Sequence, residues 1–255
     1  MYAIAGGDVD GCNAWVQRTI IAAMRLDRIL SNQAQYSRQT SRQLIASGRV
    51  TVNDVVCRTP DQEIDRFAAV SLDGTLIKPG RPAHYLMLYK PAGYLSATCD
   101  PQHPTVMALL PDAWRDELHI GGRLDRSTTG LLILTNDGLW SRRLTEPRTK
   151  LAKVYHVRTR QPISPQTASR FAEGIHFAYE GLTTSPAQLE QLDEHSARLT
   201  IYEGRYHQVK RMFHAVGNQV ESLHRESMGS IVLDPLLTPG QYRPLSPEEI
   251  ASLGC

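Results

Sequence analysis

One carboxylate, Asp125, sits in a polar loop between Arg123 and Arg126, directly ahead of the apolar run Leu131 to Leu134. The surrounding segment, Gly121 to Gly138, reads GGRLDRSTTGLLILTNDG. A carboxylate in that setting can act as a nucleophile or as a proton-abstracting base. It can equally be one half of a structural ion pair with a neighbouring arginine. Two further segments carry groups of the same kind. In Lys153-Val154-Tyr155-His156-Val157, strand alternation turns Tyr155 and Val157 to one side. Tyr155 is then either a core aromatic or a flat face for stacking. In EGRYHQVKRMF, Glu203 to Phe213, a helical apolar stripe runs through Val209, Met212, Phe213 and Val216. Lys210 and Arg211 lie next to that stripe, either as snorkelling surface cations or as partners for an anion.

The elements that must position these groups are legible around them. Leu131 to Leu134 is short, branched-rich and bounded by Gly130 and the turn Asn136-Asp137-Gly138, which predicts a buried strand. Tyr85 to Tyr89 is a second strand, ended by Lys90-Pro91. Asn136 or Asp137 caps a helix over Leu139 to Leu144, stopped before Pro147. Val154 to Thr159 and Arg198 to Tyr202 are further strands, and Gly217 fits the end of the Lys210 helix. Asp137 and Glu203 are the acids that could pair with Asp125 in a glycosidase-like site. A turn or cap explains the first better, and the start of the EGRYHQ segment explains the second.

Upstream, residues 24–78 form a unit of their own. Leu26, Ile29 and Leu30 have helical spacing. Ser37 offers an N-cap for a helix over Arg38 to Ser47, which Gly48 stops. Arg38 and Arg42 lie one turn apart on a shared face. Val50-Thr51-Val52 and Val55-Val56 read as strands around the turn Asn53-Asp54. The stretch Lys78-Pro79-Gly80-Arg81-Pro82 reads as a linker.

The chain has 255 residues, 41% of them hydrophobic, and a net charge of +2, so bulk charge says little about partners. Its distribution says more. Residues 24–50 hold five arginines and one acid, and residues 140–160 hold seven Lys or Arg and one acid. Such concentration is either the footprint of a polyanion or a solvated face. Cys12, Cys57, Cys99 and Cys255 are widely separated, without CxxC or zinc spacing, which suits a reducing compartment. No stretch has the length of a membrane span. Walker A, GxGxxG, HExxH and GxSxG motifs are absent. Residues 1–23 are expected to be a disordered extension, with Met24 the more natural start.

GRLDxxTxGLLxLT resembles the segment around the catalytic aspartate of the pseudouridine synthases, in the branch that modifies ribosomal RNA. The likeness continues through HYLMLYKPAGY, DPQHPTV, EGRYHQVKRMF and GQYRPL, closest to the subgroup acting on small-subunit (16S) rRNA. Residues 24–80, with MRLDRIL and SRxxxxxLIxxGRVTVN, are similar to the S4 RNA-binding fold. The resemblance implies an α+β protein: a small S4-like RNA-binding domain, then a catalytic domain over 83–255. The second has a largely antiparallel mixed sheet flanked by helices. It implies that Asp125 is the catalytic carboxylate, that Tyr155 stacks against the target uracil, and that Lys210 ion-pairs with Asp125 in a partly dry cleft. Relatives often carry arginine at the Lys210 position. Arg123 would fill the space left by the flipped base, and Arg211 would help bind substrate. Arg25, Arg28, Ser37, Arg38, Arg42 and Arg49 would meet RNA. The expected activity is isomerisation of uridine to pseudouridine, which requires no cofactor or metal by stoichiometry. The expected setting is a cytoplasmic monomer acting on rRNA in a small-subunit assembly intermediate. The alternatives are a synthase for large-subunit rRNA and a non-catalytic rRNA-binding assembly factor. His224, in LHRESMG, reads as a packed histidine.

Overall fold

The computed structural model describes residues 23–146 and 150–253. The expected N-terminal extension (save its last residue, Ala23), Pro147 and Arg148 lie outside them. Packing divides the chain into two compact units, one ending at Ala83 and one beginning at His84.

In the first unit, β1 (Met24–Arg25) leads into α1 (Leu26–Ser31). Leu26, Ile29 and Leu30 are all buried, as their spacing predicts. The Ser37 hydroxyl accepts from the Thr40 N–H at 3.1 Å and starts α2 (Arg38–Ala46). β2 (Val50–Val52) and β3 (Val55–Cys57) form a hairpin. Asn53 and Asp54 both take the left-handed backbone that a two-residue primed turn requires. β4 (Glu63–Ile64) pairs with β1, while β5 (Val70–Leu72) and β6 (Thr75–Lys78) complete an antiparallel sheet in the order β3-β2-β5-β6. The expected linker instead packs on this unit. Lys78 closes β6 and its ammonium donates to the carbonyls of Asp65, Arg66 and Ala68, and the Arg81 N–H donates to the Arg66 carbonyl.

The second unit opens with β7 (Tyr85–Lys90). After α3 (Asp112–Arg115) come β8 (His119–Gly121) and β9 (Thr129–Thr135). The Asp137 carboxylate accepts from the Leu139 and Trp140 N–H groups and so caps α4 (Gly138–Thr145). β10 (Lys153–Thr159) and α5 (Thr167–Glu173) follow. Next are the short strands β11 (His176–Phe177) and β12 (Leu182–Thr183), then β13 (Gln188–Gln191) and β14 (Ser196–Ile201). α6 (Gln208–Ala215), β15 (Val220–Met228), β16 (Ile231–Val232), β17 (Tyr242–Pro244) and α7 (Pro247–Ala251) complete it.

The main sheet runs β13-β14-β10-β15-β9-β7-β17, with β8 beside β9 and β16 beside β15. Every pairing is antiparallel except β9 with β15. β9 is buried on both faces. Leu132 and Leu134 join the core that contains Phe171, Met212 and Phe213, whereas Leu131 and Ile133 join a second core with Trp140 and Leu144. A strand covered on both sides needs no polar alternation, which is why its sequence is a continuous apolar run. Gly130 does not bound the strand but lies within it. Its φ is +105°, and an added Cβ would stand 2.3 Å from the Arg225 carbonyl oxygen, so the close approach of β15 demands a glycine.

Candidate active site

The loop from β8 to β9 carries Asp125, and two buried cations hold it from the core side. Lys90, at the end of β7, has no exposed surface. Its ammonium donates to the carbonyls of Thr128 at 2.8 Å, Pro91 at 3.0 Å and Arg126 at 3.3 Å. Burial pushes the Lys90 ammonium down to about 8; the Asp125 charge opposes this and the Arg225 charge adds to it. Arg225, on β15, is 1% exposed. Its guanidinium donates to the carbonyls of Leu131 at 2.8 Å, Gly122 at 3.0 Å and Arg123 at 3.4 Å. A register shift in the β10–β15 ladder, between Val154 and Tyr155, sets Arg225 opposite Tyr155. The Ser96 hydroxyl completes the cradle, donating to the Leu124 carbonyl at 2.8 Å and accepting its N–H at 3.0 Å.

The Asp125 carboxylate faces the N-terminal end of α6. Oδ2 stands 3.7 Å from Lys210 Nζ, which also donates to the Ser127 hydroxyl at 2.9 Å. Oδ1 stands 3.5 Å from His207 Nε2. Side-chain exposures of 27% for Asp125 and 33% for Lys210 make this a partly solvated pair, not a dry one, worth about 1 kcal/mol of stability at most. The turn into α6 is internally braced. Gln208 is buried; its Oε1 accepts the Arg205 N–H and its Nε2 donates to Glu203.

Asp125 and Lys210 line a cleft of about 80 Å³ together with Arg123, Tyr155, Arg205, His207 and the apolar Ile201, Val209 and Leu223. Tyr155 is 7% exposed and belongs to the core on one side and to the cleft on the other. The Thr128 hydroxyl, also on the cleft lining, is buried without a hydrogen-bond partner.

Other sequence-predicted residues fall elsewhere. Arg211 is absent from the cleft: it pairs with Glu180 and stacks over the Phe177 ring at 3.8 Å. Neither Asp137 nor Glu203 lines the cleft with Asp125. Asp137 caps α4 and accepts from the Tyr85 hydroxyl, while Glu203 accepts the Ser185 N–H and the Gln208 amide. His224 Nδ1 lies 2.8 Å from the Thr129 hydroxyl, with its pKa lowered by burial. In the first unit, Arg25 and Arg42 both bind Asp27, whose carboxyl lies below its usual range chiefly through the Arg25 hydrogen bond. Arg49 pairs with Asp73. Arg28, Ser37 and Arg38 line an open cavity of about 500 Å³ with Tyr36 and Asn32. Among the described residues, no ion pair engages Arg28 or Arg38.

Sequence reasoning missed Lys90, Arg225, Ser127 and His207. All four sit inside motifs it had marked, and that proximity was the available signal. Among the described residues, no group of three or more His, Cys, Asp or Glu is placed to hold a metal ion, and no helix is long and apolar enough to cross a membrane.

Comparison with known proteins bears on about nine-tenths of the chain. Residues 84–215 match the family profile described as RNA pseudouridylate synthase, and residues 24–70 match that of the S4 domain. The ribosomal small subunit pseudouridine synthase A of Pseudomonas aeruginosa is 55% identical over 90% of this chain and 100% of its own length. Its namesake from Escherichia coli K12 is 47% identical, again over 90% of this chain and 100% of that protein. A crystal structure of a pseudouridylate synthase, 37% identical, aligns with a TM-score of 0.66 over 91% of this chain and 100% of that one. With matches of this length to both its parts, the chain belongs to the RNA pseudouridylate synthase family and carries an S4 domain ahead of the synthase domain.

Proposed function

We propose that this enzyme isomerises a uridine to pseudouridine in small-subunit (16S) ribosomal RNA, with Asp125 as the reacting carboxylate. In that reaction the N1–C1′ bond breaks, the uracil rotates, and C5 bonds to C1′. The C5 proton leaves and N1 gains one, so atoms and electrons balance without a co-reactant. Asp125 acts at the sugar as nucleophile or at the base and sugar as proton acceptor. Tyr155 offers its cleft-facing side to the flipped uracil. Lys210 and His207 orient the carboxylate from its two oxygens, and Arg123, on the cleft lining, can replace the extruded base. Lys90 and Arg225 act through the backbone as positioning residues.

The observation that carries this reading is the convergence of Asp125, Tyr155 and Lys210 on one cleft from three separate segments. A protein that only bound RNA would have no need of it. The small-subunit assignment is supported by the names of the relatives that match over their full length. Arg28 and Arg38 are the cations of the first unit best able to reach phosphate, since Arg25, Arg42 and Arg49 are engaged by carboxylates. The protein acts as a cytoplasmic monomer on rRNA within an assembling small subunit. The test is to map pseudouridine in rRNA from cells with and without this gene. Loss of one 16S position is the expected result; loss at a large-subunit position, or no loss, overturns the assignment.

A further inference from the structure

Tyr206 and His207 form a stacked pair beside the Asp125 cleft, with ring centroids 3.9 Å apart and planes 16° from parallel. His207 lines the cleft and reaches Asp125; Tyr206 does not line it. Tyr206 is 77% exposed, so the face of its ring away from His207 is open to solvent. The residue is nonetheless held. Arg211 Nη1 donates to the Tyr206 carbonyl at 3.4 Å, and the same guanidinium is fastened to Glu180. The next residue, His207, takes left-handed backbone with φ 49° and ψ 31°. That conformation is uncommon for a residue with a side chain, and such strain tends to persist where a site needs it. Arg205 and Lys210 lie on either side of the pair along the chain, both on the cleft lining, the first paired with Glu203 and the second with Asp125. A fixed aromatic face with one side uncovered is a feature on which unpaired nucleotides stack.

We propose that the outer face of Tyr206 is a stacking platform for the base next to the uridine that enters the Asp125 cleft. The proposal rests on the reading of RNA as substrate given above. One flipped base enters the cleft, and the neighbouring nucleotides remain outside it. Extruding the target uridine strips its neighbour of a stacking partner, and that loss opposes binding. A tyrosine face at the cleft rim restores the contact. Stacking is indifferent to base identity, so Tyr206 contributes affinity and register rather than base choice. It is a positioning residue, since its ring does not touch the reacting atoms.

The test uses the full chain and a 16S rRNA transcript, with Tyr206→Ala and Tyr206→Phe compared to wild type. The alanine variant should raise KM about tenfold and leave kcat within about twofold, and the phenylalanine variant should match wild type. RNA lacking the base on the stacking flank of the target should reduce wild type to the level of Tyr206→Ala and cost that variant nothing more. An unchanged KM in Tyr206→Ala, a loss equal in Tyr206→Phe, or an undiminished loss on the abasic RNA would each overturn the proposal. A second measurement needs no turnover. A short oligouridylate with 2-aminopurine beside its central uridine is bound to Asp125→Asn and to the same protein with Tyr206→Ala. Quenching of the fluorophore by the first and not the second supports the platform, and equal fluorescence overturns it. A wild type that forms no pseudouridine speaks against the proposed reaction instead, and the two failures are thereby told apart.

Discussion

Lys90 secures the loop of Asp125 without touching its carboxylate: its fully buried ammonium binds the carbonyls of Arg126 and Thr128, just past the acid. The positive charge therefore serves twice. It ties down backbone that would otherwise be short of donors, and it adds favourable potential at the anion beside it.

Asp125→Asn should reduce pseudouridine formation at least a hundredfold, equivalent to about 2.7 kcal/mol of barrier. Affinity for rRNA should stay within about twofold, because many cations carry binding and one carboxylate carries the chemistry. Product yield in single turnover, alongside filter binding, measures both. Turnover above about one per cent of wild type would remove Asp125 from its assigned role.

Lys210→Met should lose most activity while the stability of the fold changes by about 1 kcal/mol or less, as befits a partly solvated pair. Lys210→Arg should retain much more activity, because the charge is kept. The decisive comparison is kcat of the two variants beside their denaturation midpoints. Equal kcat in the methionine variant and wild type would leave His207 as the partner that matters.

The Lys90 ammonium has a distinct pH signature. Its value in the fold, about 8, lies below the ordinary 10.5 that the unfolded chain recovers. Between those two values the unfolded chain binds more protons, so this group makes stability rise with pH across that window. The stability of wild type relative to Lys90→Met should therefore increase from pH 8 towards pH 10.5. The variant itself should be less stable by roughly 3 kcal/mol at neutral pH, since buried carbonyls lose their donor. A difference that is flat in pH would show that burial does not lower the Lys90 pKa within the fold.

Arg28→Ala and Arg38→Ala should each weaken rRNA binding and reduce the slope of log affinity against log salt by about one, the signature of a lost phosphate contact. Arg42→Ala should do less, because Asp27 already engages that guanidinium. Equal slopes for all three variants and wild type would mark the first unit's arginines as solvated ornament to the helix surface.

Much of this arrangement is legible in the sequence. The Ser37 cap, the Asn53-Asp54 turn and the buried run of β9 follow from local rules that involve neighbours in the chain. The EGRYHQVKRMF stripe correctly placed Val209, Met212 and Phe213 in the core. What escaped was set by partners distant in sequence. Lys90 and Arg225 look like surface residues because their counter-groups are backbone carbonyls, which no side-chain pattern records. Arg211 follows Lys210 directly, yet one helical step of about 100° turns it from the cleft to Glu180. Gly130 looked like punctuation and proved to be clearance for the β15 backbone.

The parallel contact between β9 and β15 also imposes an order on assembly. During translation, β7 with Lys90 and the loop of Asp125 emerge well before β15. Until Arg225 is delivered, the carbonyls of Gly122, Arg123 and Leu131 have no guanidinium to close on. Non-local pairing of this kind is slow, since distant segments must meet before any bond rewards them. The loop of Asp125 is therefore completed only by a segment that follows it by about a hundred residues. β17, later still, then zips onto the open edge of β7.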